Sequence, residues 1–352
     1  TGALGRLAGL AGQIEEPGPA LEDDLAQLAQ AGQLLRGLHH DVQFLTTDPD
    51  EDGVTWLEPG RSRGIRRLGA TLLEAGAVLR EQWREAEVRP VVTSATLAVG
   101  EDFTHMLNEL GLTRQRPPAR TRTSPSPFDF HEQSRILVPG HFPDPGSRDF
   151  NRAVGEVLRA LAHGLGRKTM GLFTSYRAIR EAAEVLATGP GTDAAGAPTV
   201  LTQTPGGGAG ALLEQFRRRP RAVLLGTATF WEGVDFPGQD LEILVVAKLP
   251  FLVPNDPWVE ARCERVAAAG ENPFTHFMVR DAVLRLRQGF GRLLRREDDR
   301  GIVVILDNRL HTKNYGTTFL NALPVVPGVF ADTEELVARG RRFLELGERP
   351  GS

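Results

Sequence analysis

Between residues 135 and 306 the chain alternates two kinds of stretch. Short, continuously apolar runs fall at 135–138, 170–174, 199–201, 222–226, 242–247 and 302–306, and residues 149–162, 176–187 and 209–218 between them carry helical apolar spacing. Strands that are apolar throughout are buried on both faces, and strands separated by helices pair in parallel. The prediction is an α/β fold, a parallel sheet flanked by helices, whose ligands gather at the carboxyl ends of the strands.

The 352 residues and 41% apolar content allow about two domains with substantial cores. The sequence has no apolar run of membrane-spanning length and no secretory signal pattern, so a soluble, cytoplasmic, monomeric protein is expected, with no membrane partner. Cys263 is the sole cysteine, so neither a disulfide nor a four-cysteine iron–sulfur cluster can be built within this chain. Net charge is −4, so any nucleic-acid track must be a local groove. The chain opens at Thr1-Gly2, in mid-pattern, and reads as a piece of a longer protein.

Residues 1–90 read as mainly helical. One helix carries Leu21, Leu25, Leu28, Leu34 and Leu35 and closes at His39 and His40. Adjacent histidines cannot face one metal from a helix, so no metal site is assigned there. Val54 to Leu57 reads as a short strand and 65–86 as a second long helix, with Leu68, Leu72, Leu73, Val78 and Leu79 as its stripe. Residues 90–97 read as a buried strand ending in Ser94-Ala95-Thr96, whose hydroxyls suit backbone or phosphate oxygens, followed by a helix near 102–110. Residues 113–130, rich in proline and arginine, read as a linker.

Polar residues follow several of the later strands. Thr174-Ser175-Tyr176 opens a helix, where the hydroxyls either contact phosphate or simply cap, and Tyr176 offers a stacking face. Thr227-Ala228-Thr229-Phe230-Trp231-Glu232-Gly233-Val234-Asp235-Phe236 places Gly233 where backbone can approach a ligand and Asp235 where a carboxylate can accept a ribose hydroxyl or hold an arginine. Gly166-Arg167-Lys168-Thr169 lacks the glycine before lysine of a phosphate loop and reads as a turn into a strand. The run ending at Asp307 lacks an acidic partner, and Gly206 to Gly210 reads as a flexible loop. Farther on, Phe274, Phe277, Met278, Ala282, Val283 and Leu286 mark a buried helix running into Gln288-Gly289-Phe290-Gly291-Arg292-Leu293-Leu294-Arg295. Spacings of four and three would put Gln288, Arg292 and Arg295 on one helical face, where two guanidiniums call for an acceptor-rich partner such as phosphate.

Gln288-x-x-Gly291-Arg292-x-x-Arg295, followed by an apolar strand, resembles motif VI of superfamily 2 helicases, with the DinG/XPD branch the nearest in appearance. Trp231-Glu232-Gly233-Val234-Asp235-Phe236 resembles motif V, Thr174-Ser175-Tyr176 motif IV and Ser94-Ala95-Thr96 motif III. Lys248-Leu249-Pro250-Phe251 and Asp307-x-Arg309 extend the likeness, which covers residues 88–330. The resemblance implies a RecA-like second motor domain preceded by a mainly helical segment. Residues 1–90 would be the end of an arch insertion and the return into the first motor domain, 91–112 its last strand and helix, 113–130 a linker and 131–346 the second motor domain.

It implies the C-terminal half of an ATP-dependent 5′→3′ DNA helicase. Arg292, Arg295 and Gln288 would be catalytic, and Gly233, Asp235, Glu232 and Gly291 would bind nucleotide. Ser94, Thr96, Thr174, Ser175, Tyr176, Thr227 and Trp231 would line the single-stranded DNA track. The chain has neither a Walker A lysine nor a paired-carboxylate Walker B strand. ATP and Mg2+ would therefore be held with an upstream half, and the chain alone would be inactive. A role in DNA repair follows from the resemblance only. The alternative is a non-catalytic nucleic-acid-binding or regulatory module with a RecA-like fold.

Overall fold

A computed structural model describes residues 19–46, 53–59, 66–94, 96–98, 101–113, 117–188, 197–227, 240–291, 293, 294, 296 and 298–345. They form two compact units: Thr1–Ala86, Glu109–Gly111 and Val253–Arg265 make one, and Glu87–Asn108, Leu112–Leu252 and Val266–Ser352 the other.

The first unit contains helix α1 (Pro19–Thr46), the antiparallel hairpin β1 (Gly53–Pro59) and β2 (Arg66–Leu72), and helix α2 (Gly76–Glu85). Helix α1 runs past His39 and His40 to Thr46. The long helix expected over 65–86 is half strand. Leu68 and Leu72 are four apart, a spacing that serves one face of a strand as well as a helix. The partner strand decides: Gly69 lies opposite Trp56 in the ladder, and a Cβ there would come within 2.5 Å of the indole. Val253–Arg265 completes this unit. Trp258 Nε1 donates to the Leu72 carbonyl at 3.0 Å, and the buried Arg262 guanidinium, 7% exposed, bridges Glu74 and Glu109.

The second unit contains α3 (Thr104–Glu109), α4 (Phe130–Gln133), β3 (Ser134–Pro139), α5 (Phe150–Leu165), β4 (Thr169–Leu172), α6 (Tyr176–Ala187), β5 (Thr199–Thr202), α7 (Ala209–Arg218), β6 (Ala222–Gly226) and β7 (Ile243–Val246). Helix α8 (Pro257–Ala268) lies largely in the first unit, and the second continues with a π-helical turn (Phe274–Met278), α9 (Val279–Phe290), β8 (Gly301–Ile305), α10 (Arg309–Thr312), α11 (Gly316–Ala322), β9 (Gly328–Phe330) and α12 (Thr333–Glu345). The strands form one parallel sheet in the order β5-β6-β4-β7-β8-β3-β9. Alternate residues feed two cores, as the pleat requires. Ile136, Met170, Leu224, Leu244 and Val303 share one with α7, α9 and α11. Leu137, Val223, Val245 and Val304 share the other with α5, α6 and α12.

The six expected strands and three helices are all present, so the doubly covered parallel sheet stands as read. β9, three residues long, is the addition. Residues 90–97 are a correction, because the described part forms no strand and Val91 is 90% exposed. A strand needs a neighbour to pair with, and among the described residues none lies beside it. Among the described residues no helix is long and apolar enough to cross a membrane.

Candidate functional site

Three of the sheet's central strands release polar side chains at their carboxyl ends. After β4, Thr174 and Ser175 are exposed. Ser175 is extended (φ −157°, ψ 150°), and its Oγ accepts the Ala178 amide at 3.2 Å, so this hydroxyl caps α6. Tyr176 packs partly into the core beneath. After β6, the neighbour of β4, the Thr227 amide and hydroxyl both donate to Gln203 Oε1, at 2.8 and 2.9 Å. Gln203 is 8% exposed and extends the ladder from β5 by donating its own amide to Leu225. Nothing in its sequence neighbourhood marked it.

After β8, Asp307 is 1% exposed. Its Oδ2 accepts the Leu249 amide at 2.8 Å and Arg309 Nη2 at 2.6 Å, while Oδ1 accepts the Arg309 amide at 3.0 Å and Nε at 2.8 Å. The carboxylate is thus occupied in holding the ends of β7 and β8 together, as its lack of an acidic partner had suggested. Burial opposes the charge of Arg309, but hydrogen bonding and attraction from Asp307 outweigh it and raise its pKa above the ordinary arginine value. Beside it, Lys248 Nζ donates to the Pro145 carbonyl at 2.5 Å and lies 4.8 Å from the Phe150 ring centroid. Burial, followed by the Arg309 charge, lowers its pKa. Lys168 is structural: Nζ binds Arg217 O at 2.8 Å and Asp240 Oδ1 at 3.0 Å just before β4.

Helix α9 carries the chain back toward the amino edge of the sheet. It ends at Phe290, with Gly291 at φ −64° and ψ −4°, and the described Leu293 and Leu294 are not helical. This corrects the single-helix reading; a turn follows the helix, with the Leu293 amide donating to Phe290 O at 3.1 Å. Beyond it, Leu293 packs against Gly301 at the start of β8, and Gln133 Nε2, just ahead of β3, donates to the Arg296 and Asp299 carbonyls, each at 3.1 Å. Gln288 is exposed, and its Nε2 reaches Thr96 Oγ1 at 3.5 Å. Thr96 Oγ1 lies 3.3 Å from Ser94 Oγ, and Arg287 Nη1 donates to the Ala98 carbonyl at 2.6 Å.

The geometry therefore joins Ser94, Thr96 and Gln288 in one place, and sets Thr174, Ser175 and Thr227 at the ends of adjacent strands in another. Gly291 is exposed, and a Cβ on it would meet no atom closer than 3.5 Å, so the described fold does not itself require glycine there. Arg292, Arg295, Trp231, Glu232, Gly233 and Asp235 lie outside the described residues.

Residues 158–326 match the family model described as helicase C-terminal domain. The chain is 37% identical over 279 residues to the Escherichia coli (strain K12) "ATP-dependent DNA helicase YoaA", covering 79% of this chain and 41% of that protein. It is 35% identical over 287 residues to the Mycobacterium tuberculosis (strain H37Rv) "ATP-dependent helicase DinG", covering 80% and 42%. It is 35% identical over 299 residues to the Bacillus subtilis (strain 168) "3'-5' exonuclease DinG", covering 82% and 32%. The chain thus spans less than half the length of these relatives. A solved structure titled "XPD_Helicase" shares the fold, with a TM-score of 0.56 at 14% identity over 90% of this chain and 57% of that one.

Proposed function

Since the chain corresponds to the C-terminal portion of a DinG/XPD-type superfamily 2 helicase, we propose that it is the second motor half of an ATP-dependent, 5′→3′ DNA helicase. The observation that carries this reading is the meeting of Thr96 with Gln288, 192 residues apart in sequence. The stretches that resemble motifs III and VI come together, as a device linking nucleotide state to the DNA track would require.

In this reading Mg-ATP, when bound, supplies the γ-phosphoryl group that is transferred to water. Gln288, exposed beside Thr96, lines the cleft, and the open surface over Gly291 leaves room for close approach. Arg292 and Arg295 offer guanidinium forks to phosphate oxygens, and an arginine so placed contributes about three to five powers of ten in rate. Glu232, Gly233 and Asp235 complete the nucleotide side. Thr174, Tyr176 and Thr227 provide hydroxyls and a ring along the carboxyl edge for single-stranded DNA, joined by Trp231. Ser175 contributes through its cap of α6, which fixes that edge. Residues 91–112 belong to the first motor domain, and an upstream half supplies Walker A and B.

The test is single-stranded-DNA-stimulated ATP hydrolysis by the chain joined to its upstream half, beside the chain alone and an Arg292→Ala form of the joined protein. Activity is expected only in the joined wild type, with Arg292→Ala abolishing hydrolysis and sparing DNA binding. Full ATPase in that variant would remove Arg292 from the mechanism. DNA binding with no hydrolysis by the joined wild type would favour a binding module.

A further inference from the structure

At the carboxyl edge, beyond β7 and β8, four aromatic rings form a cluster that the proposed roles leave unused. Phe319 is fully buried, Phe251 and Tyr315 partly so, and Phe274 remains 41% exposed. Phe274 stacks on Phe251 at 5.7 Å with an interplanar angle of 19°, and Tyr315 meets it at 5.1 Å and 68°. The Arg309 guanidinium lies 5.2 Å from the Phe251 centroid.

The exposed ring is held firmly. Asn272 Oδ1 accepts the amides of Phe274 and Thr275, at 2.9 and 3.2 Å, and caps the π-helical turn. Phe277 and Met278 anchor that turn in the core. Such turns inside helices are frequent at functional sites. The segments beside the turn carry Arg280 and Lys313, whereas Arg309 is committed to Asp307 and the bordering Asp281 to Arg285. An ordered ring beside cations matches the chemistry of single-stranded nucleic acid, in which a base offers a π face and the backbone offers phosphate.

We propose that Phe274, supported by Phe251 and Tyr315, is a stacking platform for a base of single-stranded DNA. The proposal rests on the DNA-track reading above and extends that track from β4 and β6 to β7 and β8.

The test measures binding of a short single-stranded oligonucleotide, with and without abasic positions, by the 352-residue chain and its Phe274→Leu, Phe274→Trp and Thr174→Glu forms. Leucine keeps apolar bulk without a ring face, and circular dichroism checks its fold. Phe274→Leu should weaken binding about 5- to 150-fold, the range for loss of one stacked base. Phe274→Trp should bind as the wild type does, and the leucine penalty should disappear on the abasic strand. If Thr174→Glu weakens binding while Phe274→Leu does not, the platform is refuted and the track stands; a surface covered by protein would give that result. No binding by any form would overturn both.

Discussion

Replacing Asp307 by alanine removes the acceptor that joins two strand ends. The Leu249 amide loses its partner in a site where Leu249 is 1% exposed, and an orphaned buried N–H costs about 1–3 kcal/mol. Breaking a fully buried ion pair costs about 3–5 kcal/mol. The Arg309 side chain is 25% exposed and can turn toward water, which places its share at the low end. The total expected for Asp307→Ala is about 4–6 kcal/mol, or roughly 1.5–2 M in urea midpoint for a slope near 3 kcal/mol/M. Asp307→Asn offers one carbonyl oxygen where the carboxylate uses two, so it should lose about half as much. Removing the stranded guanidinium in an Asp307→Ala, Arg309→Ala double variant should cost less than the sum of the single changes. Urea unfolding followed by far-UV circular dichroism gives the energies, and hydrogen exchange at the Leu249 amide reports the site. A change below 1 kcal/mol with that amide still protected would refute the argument.

Gln203→Leu keeps the volume but strips Thr227 of the acceptor for both its amide and hydroxyl. A loss of about 1–3 kcal/mol in urea unfolding is expected, with weaker single-stranded DNA binding; unchanged exchange at the Thr227 amide would contradict the assigned contact. Lys248 has a native pKa below its ordinary 10.5, so the unfolded chain holds that proton more tightly. Its contribution to stability therefore rises with pH between the lowered native value and 10.5. Lys248→Met should flatten that part of the stability profile, and an identical slope in both proteins would count against the burial argument.

The second unit was legible because its strands are apolar throughout and its helices periodic. Tyr176–Ala187 and Ala209–Arg218 begin and end where the sequence placed them. Residues 66–72 misled because a spacing of four fits both periods, and only the Trp56–Gly69 pairing resolves it. The end of α9 at Phe290 was hidden for a related reason, since Gly291 keeps helical dihedrals and its amide still donates to the Arg287 carbonyl at 3.1 Å. Thr174, Ser175 and Thr227 were legible as hydroxyls at strand ends, although the assignment of Ser175 to a cap needed geometry. Gln203 and the Asp307–Leu249 contact were invisible in roles that depend on neighbours 24 and 58 residues away.

The ion bridge at Arg262 also sets a timetable. Glu74 precedes its guanidinium partner by 188 residues, so on a translating ribosome the carboxylate waits roughly 10–40 s at ordinary elongation rates. During that interval β3, β4, β5, β6 and β7 are all synthesised, while the earlier hairpin remains without the segment that completes its unit. Because β8, which joins β7 to β3, is encoded after Arg262, the segment that completes the first unit is made before the strand that completes the sheet.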